Sequence, residues 1–269
     1  MSGDPAAPVK AILLAAGRGS RMGGDLPKVL HELDGKPLIS YAVDNAREAG
    51  AEPVVVVVGY RRELVQAKLA DSGVEFAVQT EQRGTGHAVL AARGHLEADE
   101  ADILVLYGDM PLLSTPTLRQ LIMHRRATAA AAVALTLVID SPPDFGRIVR
   151  DEAGRVQRVV EVKDANADEL AIREVNVGAY CFAAQTLLPV LERLRTDNAQ
   201  GEYYLTDVVG LLVQDGHRVE TVETTDIEET LGINDLPHLA FAGTLDDIRY
   251  AESLYELVDA VANAARGGP

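Results

Sequence analysis

The chain is poor in cations, cysteine and aromatic side chains, and each shortage removes a class of function. Its 269 residues carry 25 Lys plus Arg against 41 Asp plus Glu, a formal net charge of −16. That excess repels phosphate backbones at long range and argues against non-specific nucleic-acid binding. Tryptophan is absent and aromatics are only 4% of the residues, which leaves little to stack single-stranded bases on. The single cysteine, Cys181, cannot form an internal disulfide, and no His/Cys cluster has zinc-ligand spacing. A reducing compartment, the cytoplasm, is the natural setting. The longest purely aliphatic run near the N-terminus, residues 11–16, is cut off by Gly17 and Arg18. It is too short for a signal-peptide core or a membrane span, so no membrane partner is expected.

What is present reads as a folded protein of one large domain or two small ones, with 47% hydrophobic and 25% charged residues. Residues 1–8, with Gly3, Pro5 and Pro8, read as a disordered leader. From Val9 onward short apolar runs alternate with longer periodic segments. Strands are expected over 9–14, 53–58, 75–79 and 103–107, and helices over 37–49, 61–72 and 86–96. Four such β-α units predict a doubly wound half of the Rossmann type. The rhythm then changes: a helix over 118–126, a strand over 130–139, and a hairpin of 146–150 with 155–161 around Asp151-Glu152-Ala153-Gly154. A strand over 175–182, helices over 184–194 and 205–214, a strand over 218–223 and a mostly helical 236–265 complete the chain. The fold class is α/β, a Rossmann-like doubly wound mixed sheet.

The loop Ala15-Ala16-Gly17-Arg18-Gly19-Ser20-Arg21-Met22 directly follows the first strand, where an open α/β sheet places a ligand. Its small residues allow close approach of a phosphate or base. The dehydrogenase fingerprint needs a third small residue where Met22 stands, and an acidic residue ending the second strand, where Gly59 and Tyr60 stand. A Walker-type loop needs Lys and then Ser/Thr after its last glycine, but Asp25 and Leu26 follow Gly24. Two cations, Arg21 and Lys28, lie within short reach of this loop in an otherwise acidic protein. They suit a bidentate clamp and a point charge on a triphosphate; the plain alternative is two solvated surface cations. Asp109 follows the strand 103–107 through Gly108, at the sheet edge that carries the glycine loop. A lone Asp suffices for magnesium, whose shell is completed by water and substrate phosphates, although Gly108-Asp109-Met110-Pro111 also suits a simple turn.

Several segments together resemble the nucleotidyltransferases that make sugar nucleotides. They are residues 14–22, Leu26-Pro27-Lys28-Val29-Leu30, Gln79-Thr80-Glu81-Gln82-Arg83-Gly84-Thr85-Gly86-His87-Ala88 and Tyr107-Gly108-Asp109. In the second half Phe145-Gly146-Arg147-Ile148, Val160-Glu161-Val162-Lys163-Asp164, Glu174-Val175-Asn176-Val177-Gly178 and the run 198–207 agree in order and spacing. The resemblance is closest to the uridylyltransferase domain of the bacterial bifunctional N-acetylglucosamine-1-phosphate uridylyltransferase/glucosamine-1-phosphate acetyltransferase. It covers roughly residues 9–235, and the run Asn198-Ala199-Gln200-Gly201-Glu202-Tyr203-Tyr204-Leu205-Thr206-Asp207 is its most specific part.

The resemblance implies a nucleotide-binding half over 9–117, a sugar-binding half over 118–235 and a C-terminal helical segment over 236–269. It implies that Leu14, Ala15, Ala16 and Gly17 hold a uridine nucleotide, with Lys28 on its phosphates. Gln79, Gly84 and Thr85 would read uracil and ribose, and Tyr107 and Gly108 would line the site. Gly146, Glu161, Asn176 and Asn234 would hold the sugar, while Asp109 and Asn234 would hold Mg2+. Read without the family, Glu161 and Asn176 are solvated strand residues and Asn234 a helix cap before Leu236. The implied reaction is attack by a sugar 1-phosphate oxygen on the α-phosphorus of UTP, with Arg21, Lys28 and Asp109 catalytic and UTP and N-acetylglucosamine 1-phosphate as substrates. Lys163 is a further candidate for the positive pocket. His87 is expected to be structural, because an anionic nucleophile needs no base, and Cys181 a small core residue. No hexapeptide repeats follow residue 235, so neither acetyl transfer nor the family's trimer is expected. The family's usual Arg is also missing two residues after Asn234, where Leu236 stands. The alternatives are a nucleotidyltransferase of other base or sugar specificity and a non-catalytic nucleotide-sugar-binding paralogue.

Overall fold

A computed structural model describes residues 7–22, 24–96 and 100–243. Strand β1 (Val9–Ala15) leads through two 3-10 turns to a small ribbon, β2 (Glu32–Leu33) and β3 (Lys36–Pro37), which the sequence reading had not resolved. Then come α1 (Leu38–Glu48), β4 (Ala51–Val58), α2 (Arg62–Lys68), β5 (Glu75–Val78), α3 (Thr85–Ala91) and β6 (Asp102–Tyr107). The second half runs α4 (Thr115–Thr128), β7 (Ala132–Val138), β8 (Arg147–Arg150), β9 (Val156–Val160), α5 (Ala167–Leu170) and β10 (Glu174–Ala183). It continues with α6 (Ala184–Leu191), α7 (Asp207–Gln214), β11 (Val219–Glu223) and α8 (Leu236–Ala242). Most of the leader expected over 1–8, and the helix expected beyond residue 243, lie outside the described residues.

Seven strands stand side by side in the order β11-β7-β10-β6-β1-β4-β5, and the β8–β9 hairpin attaches through β10. β5, β4, β1 and β6 are mutually parallel, as β-α-β crossovers require. β10 runs antiparallel to both β6 and β7, which makes the sheet mixed. The helix expected over 61–72 is divided: α2 stops at Lys68, and a 3-10 turn over Ala70–Ser72 ends at Gly73 with φ 67°. The four-residue α5 was also missed, although Asn166 and Glu169 form a capping box whose side chains satisfy each other's backbone N–H groups.

Strand alternation decides what lies on each face. Ala11, Leu13 and Ala15 of β1, with Val54, Val56 and Val58 of β4, pack on the side of α1, α2 and α4. Ile12, Leu14, Val55 and Val57 pack on the opposite side with α3, α6 and α7. Burial on both faces explains the run of five valines, each worth about 1.5–3 kcal/mol when removed from water. A third cluster joins Met22, Leu33 and Leu38 to Leu231, Ile233 and Phe241. It ties the glycine loop to the stretch before α8, two segments more than 200 positions apart, as the 213 positions between Arg21 and Asn234 illustrate. Among the described residues no helix is long and apolar enough to cross a membrane.

Candidate active site

Parallel pairing of β1 with β6 sets Leu14 opposite Tyr107, so the glycine loop and the Gly108-Asp109 turn leave the sheet at the same edge. Gly108 donates its N–H to Leu14 O at 3.0 Å. A Cβ on Gly108 would lie 2.7 Å from the Ile39 Cδ1 methyl and 3.2 Å from Leu14 O, so a larger residue would have to push Ile39 of α1 aside. Gly19 has φ 66°, and a Cβ on it would lie 2.4 Å from Lys28 Cβ. The glycine therefore leaves the space that the Lys28 stem crosses.

Lys28 Nζ forms an ion pair with Asp109 Oδ2, and both side chains are largely buried. The same ammonium donates to Asn234 Oδ1 at 3.0 Å, and Arg21 Nη2 donates to that oxygen at 3.2 Å. Asn234 is not the helix cap: Asp235 caps α8 by accepting from His238 N, which releases the Asn234 amide to face the cations. All four side chains thus meet at one point.

Two cavities open on either side of it. The first, about 250 Å³, is lined by Leu14, Ala15, Ala16, Gly17, Gln79, Gly84 and Thr85 together with Lys28, Tyr107 and Asp109. The second, about 300 Å³, is lined by Gly146, Glu161, Asn176 and Asn234 together with the same three residues. Gly108 lines neither and acts through the turn. Lys163 lines neither as well, and donates to Gln200 Oε1 at 2.6 Å, so the positive pocket does not include it.

Glu161 and Asn176 are not solvated strand residues. Asn176 is buried at 8% exposure, donates its N–H to Gly146 O at 2.8 Å, and accepts from Gly178 N through its side chain. Glu161 lies just beyond β9, where burial raises its carboxyl and nearby Asp164 adds to the rise; the hydrogen bond from Thr206 Oγ1 at 2.9 Å opposes it. Burial likewise raises the Tyr107 phenol, with the Glu161 and Asp109 carboxylates reinforcing the effect. Tyr107 separates the two cavities because Gly178 makes room for it: with φ 95°, a Cβ there would lie 2.4 Å from the ring.

Sequence reasoning missed Gly178 and Thr206. A glycine inside a strand signals a bulge or a close approach, and the β10–β7 register does shift between Asn176 and Tyr180. Thr206 had no local signal beyond its place in the 198–207 run.

The described residues contain no group of three His, Cys, Asp or Glu side chains able to hold a metal. Asp109 and Asn234 nevertheless offer two hard oxygens aimed at one cation, the Lys28 ammonium. That donor set fits magnesium, which takes one or two protein oxygens and fills its shell with water and phosphate.

The MobA-like NTP transferase domain model matches residues 11–209. The chain is 46% identical over 225 residues to the Bifunctional protein GlmU of Bacillus thuringiensis (strain Al Hakam), covering 84% of this chain and 49% of the relative. The Bifunctional protein GlmU of Bacillus anthracis matches with the same figures, 46% identity, 84% and 49% coverage. The chain therefore spans about half the length of these curated relatives. A UDP-glucose pyrophosphorylase complexed with UDP-glucose superposes with a TM-score of 0.71 at 17% identity, covering 89% of this chain and 98% of that one. A putative glucose-1-phosphate thymidylyltransferase from Bacillus anthracis gives 0.69 at 19% identity, over 91% and 98%. At such identities the two structures speak for the fold, in agreement with the mixed α/β sheet.

Proposed function

The chain belongs to the MobA-like NTP transferase family and is a nucleotidyltransferase, and from that premise we propose that it transfers the uridylyl group of UTP to N-acetylglucosamine 1-phosphate, releasing pyrophosphate. The observation that carries this reading is the sharing of Lys28, Tyr107 and Asp109 by two adjoining cavities. A nucleotide in one and a sugar phosphate in the other would bring their phosphates together beside the Lys28 ammonium, which lines both cavities.

The first cavity takes the nucleoside, with Ala15, Ala16 and Gly17 giving the sugar-phosphate room and Gln79, Gly84 and Thr85 facing the base and ribose. The second takes the hexose, whose hydroxyls meet Glu161, Asn176 and the Gly146 backbone. An oxygen of the sugar phosphate attacks the α-phosphorus, a new P–O bond forms, and the bond to the β-phosphate breaks, sending its electron pair to pyrophosphate. The nucleophile is already an anion and needs no base, so the protein acts by positioning two polyanions and neutralising their charge. Lys28 and Arg21 carry that neutralisation, leaving their contacts with Asp109 and Asn234 for phosphate oxygens. Asp109 and Asn234 would hold magnesium, which supplies additional positive charge to the phosphates when bound. A single buried cysteine and an acidic exterior suit the cytoplasm, where UTP is supplied.

The test is a coupled pyrophosphate assay over UTP, CTP, GTP and dTTP with several hexose 1-phosphates. The proposal expects the highest kcat/KM for UTP with N-acetylglucosamine 1-phosphate. A preference for another pair redirects the specificity within the family, and binding without pyrophosphate release indicates a non-catalytic paralogue.

A further inference from the structure

His87, read from the sequence as structural, makes a contact that bears on which base the first cavity accepts. Gln79 lines that cavity and is buried, 4% exposed. Its Nε2 lies 3.0 Å from Gly84 O and 3.0 Å from His87 Nδ1. The carbonyl can only accept, so the atom facing it is the NH2 of the carboxamide, and the amide can sit only this way round. The second N–H then meets His87 Nδ1, which must be the bare nitrogen of a neutral ring protonated on Nε2. Both amide donors are thereby consumed inside the protein. Gln79 Oε1 has no hydrogen-bond partner among the described residues and is left for a ligand.

The His87 ring is itself held. It stands on α3 and stacks on Tyr203, with centroids 6.0 Å apart and planes at 28°. Tyr203 is fixed in turn by Tyr203 N donating to Arg83 O at 2.8 Å and Gly86 N donating to Tyr203 O at 2.8 Å. Flipping the Gln79 amide would set its oxygen against the Gly84 carbonyl and the Nδ1 lone pair, losing two hydrogen bonds at a buried site.

We propose that His87 is a specificity-determining positioning residue, whose Nδ1 holds the Gln79 carboxamide with its oxygen toward the cavity. The site then selects a pyrimidine with N–H at ring position 3, as in uracil, over one with a bare nitrogen there, as in cytosine. The inference rests on the uridine reading above and adds the residue that sets the polarity of base recognition.

The experiment compares kcat/KM for UTP and CTP, with one sugar 1-phosphate, in the wild type, His87→Phe and His87→Asn. Phe keeps a planar ring against Tyr203 but has no acceptor, whereas Asn can offer Oδ1 to the amide. One lost hydrogen bond corresponds to a fall of about 2- to 10-fold in the UTP-to-CTP ratio. The expected result is that fall in His87→Phe, through KM for UTP with kcat little changed, and recovery in His87→Asn. A His87→Phe enzyme slowed equally with both nucleotides, its ratio unchanged, overturns the inference and leaves the uridine reading standing. A wild type that uses CTP as readily as UTP overturns the uridine reading and this inference with it. Should His87→Phe fail to fold, 15N spectra of the wild-type imidazole decide: a bare Nδ1 supports the assignment, and a protonated Nδ1 overturns it.

Discussion

Lys28 Nζ donates to Asn234 Oδ1 at 3.0 Å across 206 positions of sequence, while the same ammonium pairs with Asp109. The cation that would meet a phosphate is thus already balanced by the two residues that would hold a divalent ion. In a protein of net charge −16, these contacts hold a largely buried lysine in one orientation before any ligand arrives.

Replacing Asp109 by Ala should lower kcat/KM for pyrophosphate release by about 100-fold or more, with the melting temperature moving only a few degrees. Lys28→Ala should cost a comparable factor. Chelation by EDTA should stop the reaction and added magnesium restore it. Undiminished turnover in EDTA would remove the metal from the proposal.

Two glycines should respond to alanine in opposite ways. At Gly178 the positive φ and the 2.4 Å approach to Tyr107 leave no space for a Cβ, so Gly178→Ala should destabilise the fold by about 1–3 kcal/mol and raise KM for both substrates. Nothing lies within 4 Å of a Cβ built on Gly17. Gly17→Ala should therefore leave stability within about 0.5 kcal/mol, while KM for UTP rises. Urea denaturation and steady-state kinetics on both variants check the contrast.

Asp207, at the start of α7, is raised to about 6 by burial first and by the neighbouring Glu161 and Asp164 carboxylates next. Because its folded value lies above its unfolded one, its contribution is fully present below about pH 4 and is lost as the pH rises through about 6. Asp207→Asn should accordingly be more stable than the wild type at pH 7, and the gap should close toward pH 4. Urea midpoints measured at pH 4, 5.5 and 7 read this directly. A gap independent of pH would show that the carboxyl does not titrate in this way.

Cys181 lies fully buried in β10, and burial pushes its thiol well up. Ellman's reagent should fail to label the native protein over hours and label one thiol per chain once the protein is unfolded. Rapid native labelling would mean that β10 opens far more readily than its core position implies.

The parts legible in the sequence share one property: their signals are local. The short apolar runs over 9–14 and 53–58, the glycine loop and the carboxylate after a strand all follow from strand propensity and turn chemistry, which act over a few residues. The division of α2 at Lys68 and the ribbon β2–β3 escaped notice because each is too short to set up a period. Glu161 and Asn176 looked solvated because a sequence does not display burial; only the packing of the hairpin and β10 around the second cavity removes them from water.

The sequence by itself determined that this is a mixed α/β protein with a phosphate-suited loop and a carboxylate at the edges of parallel strands. It also determined that any positive pocket must be local, since the chain as a whole is acidic. The tertiary structure alone decided that Asn234, rather than capping a helix, joins Lys28, Arg21 and Asp109. It alone decided that Tyr107 lines two cavities at once and that the Gln79 carboxamide nitrogen lies within reach of both Gly84 O and His87 Nδ1. The physical reason is that such contacts are set by the burial of distant apolar clusters, Met22 against Ile233 and the ring of Tyr107 against Gly178, and no spacing along the chain encodes which distant residues will be packed together.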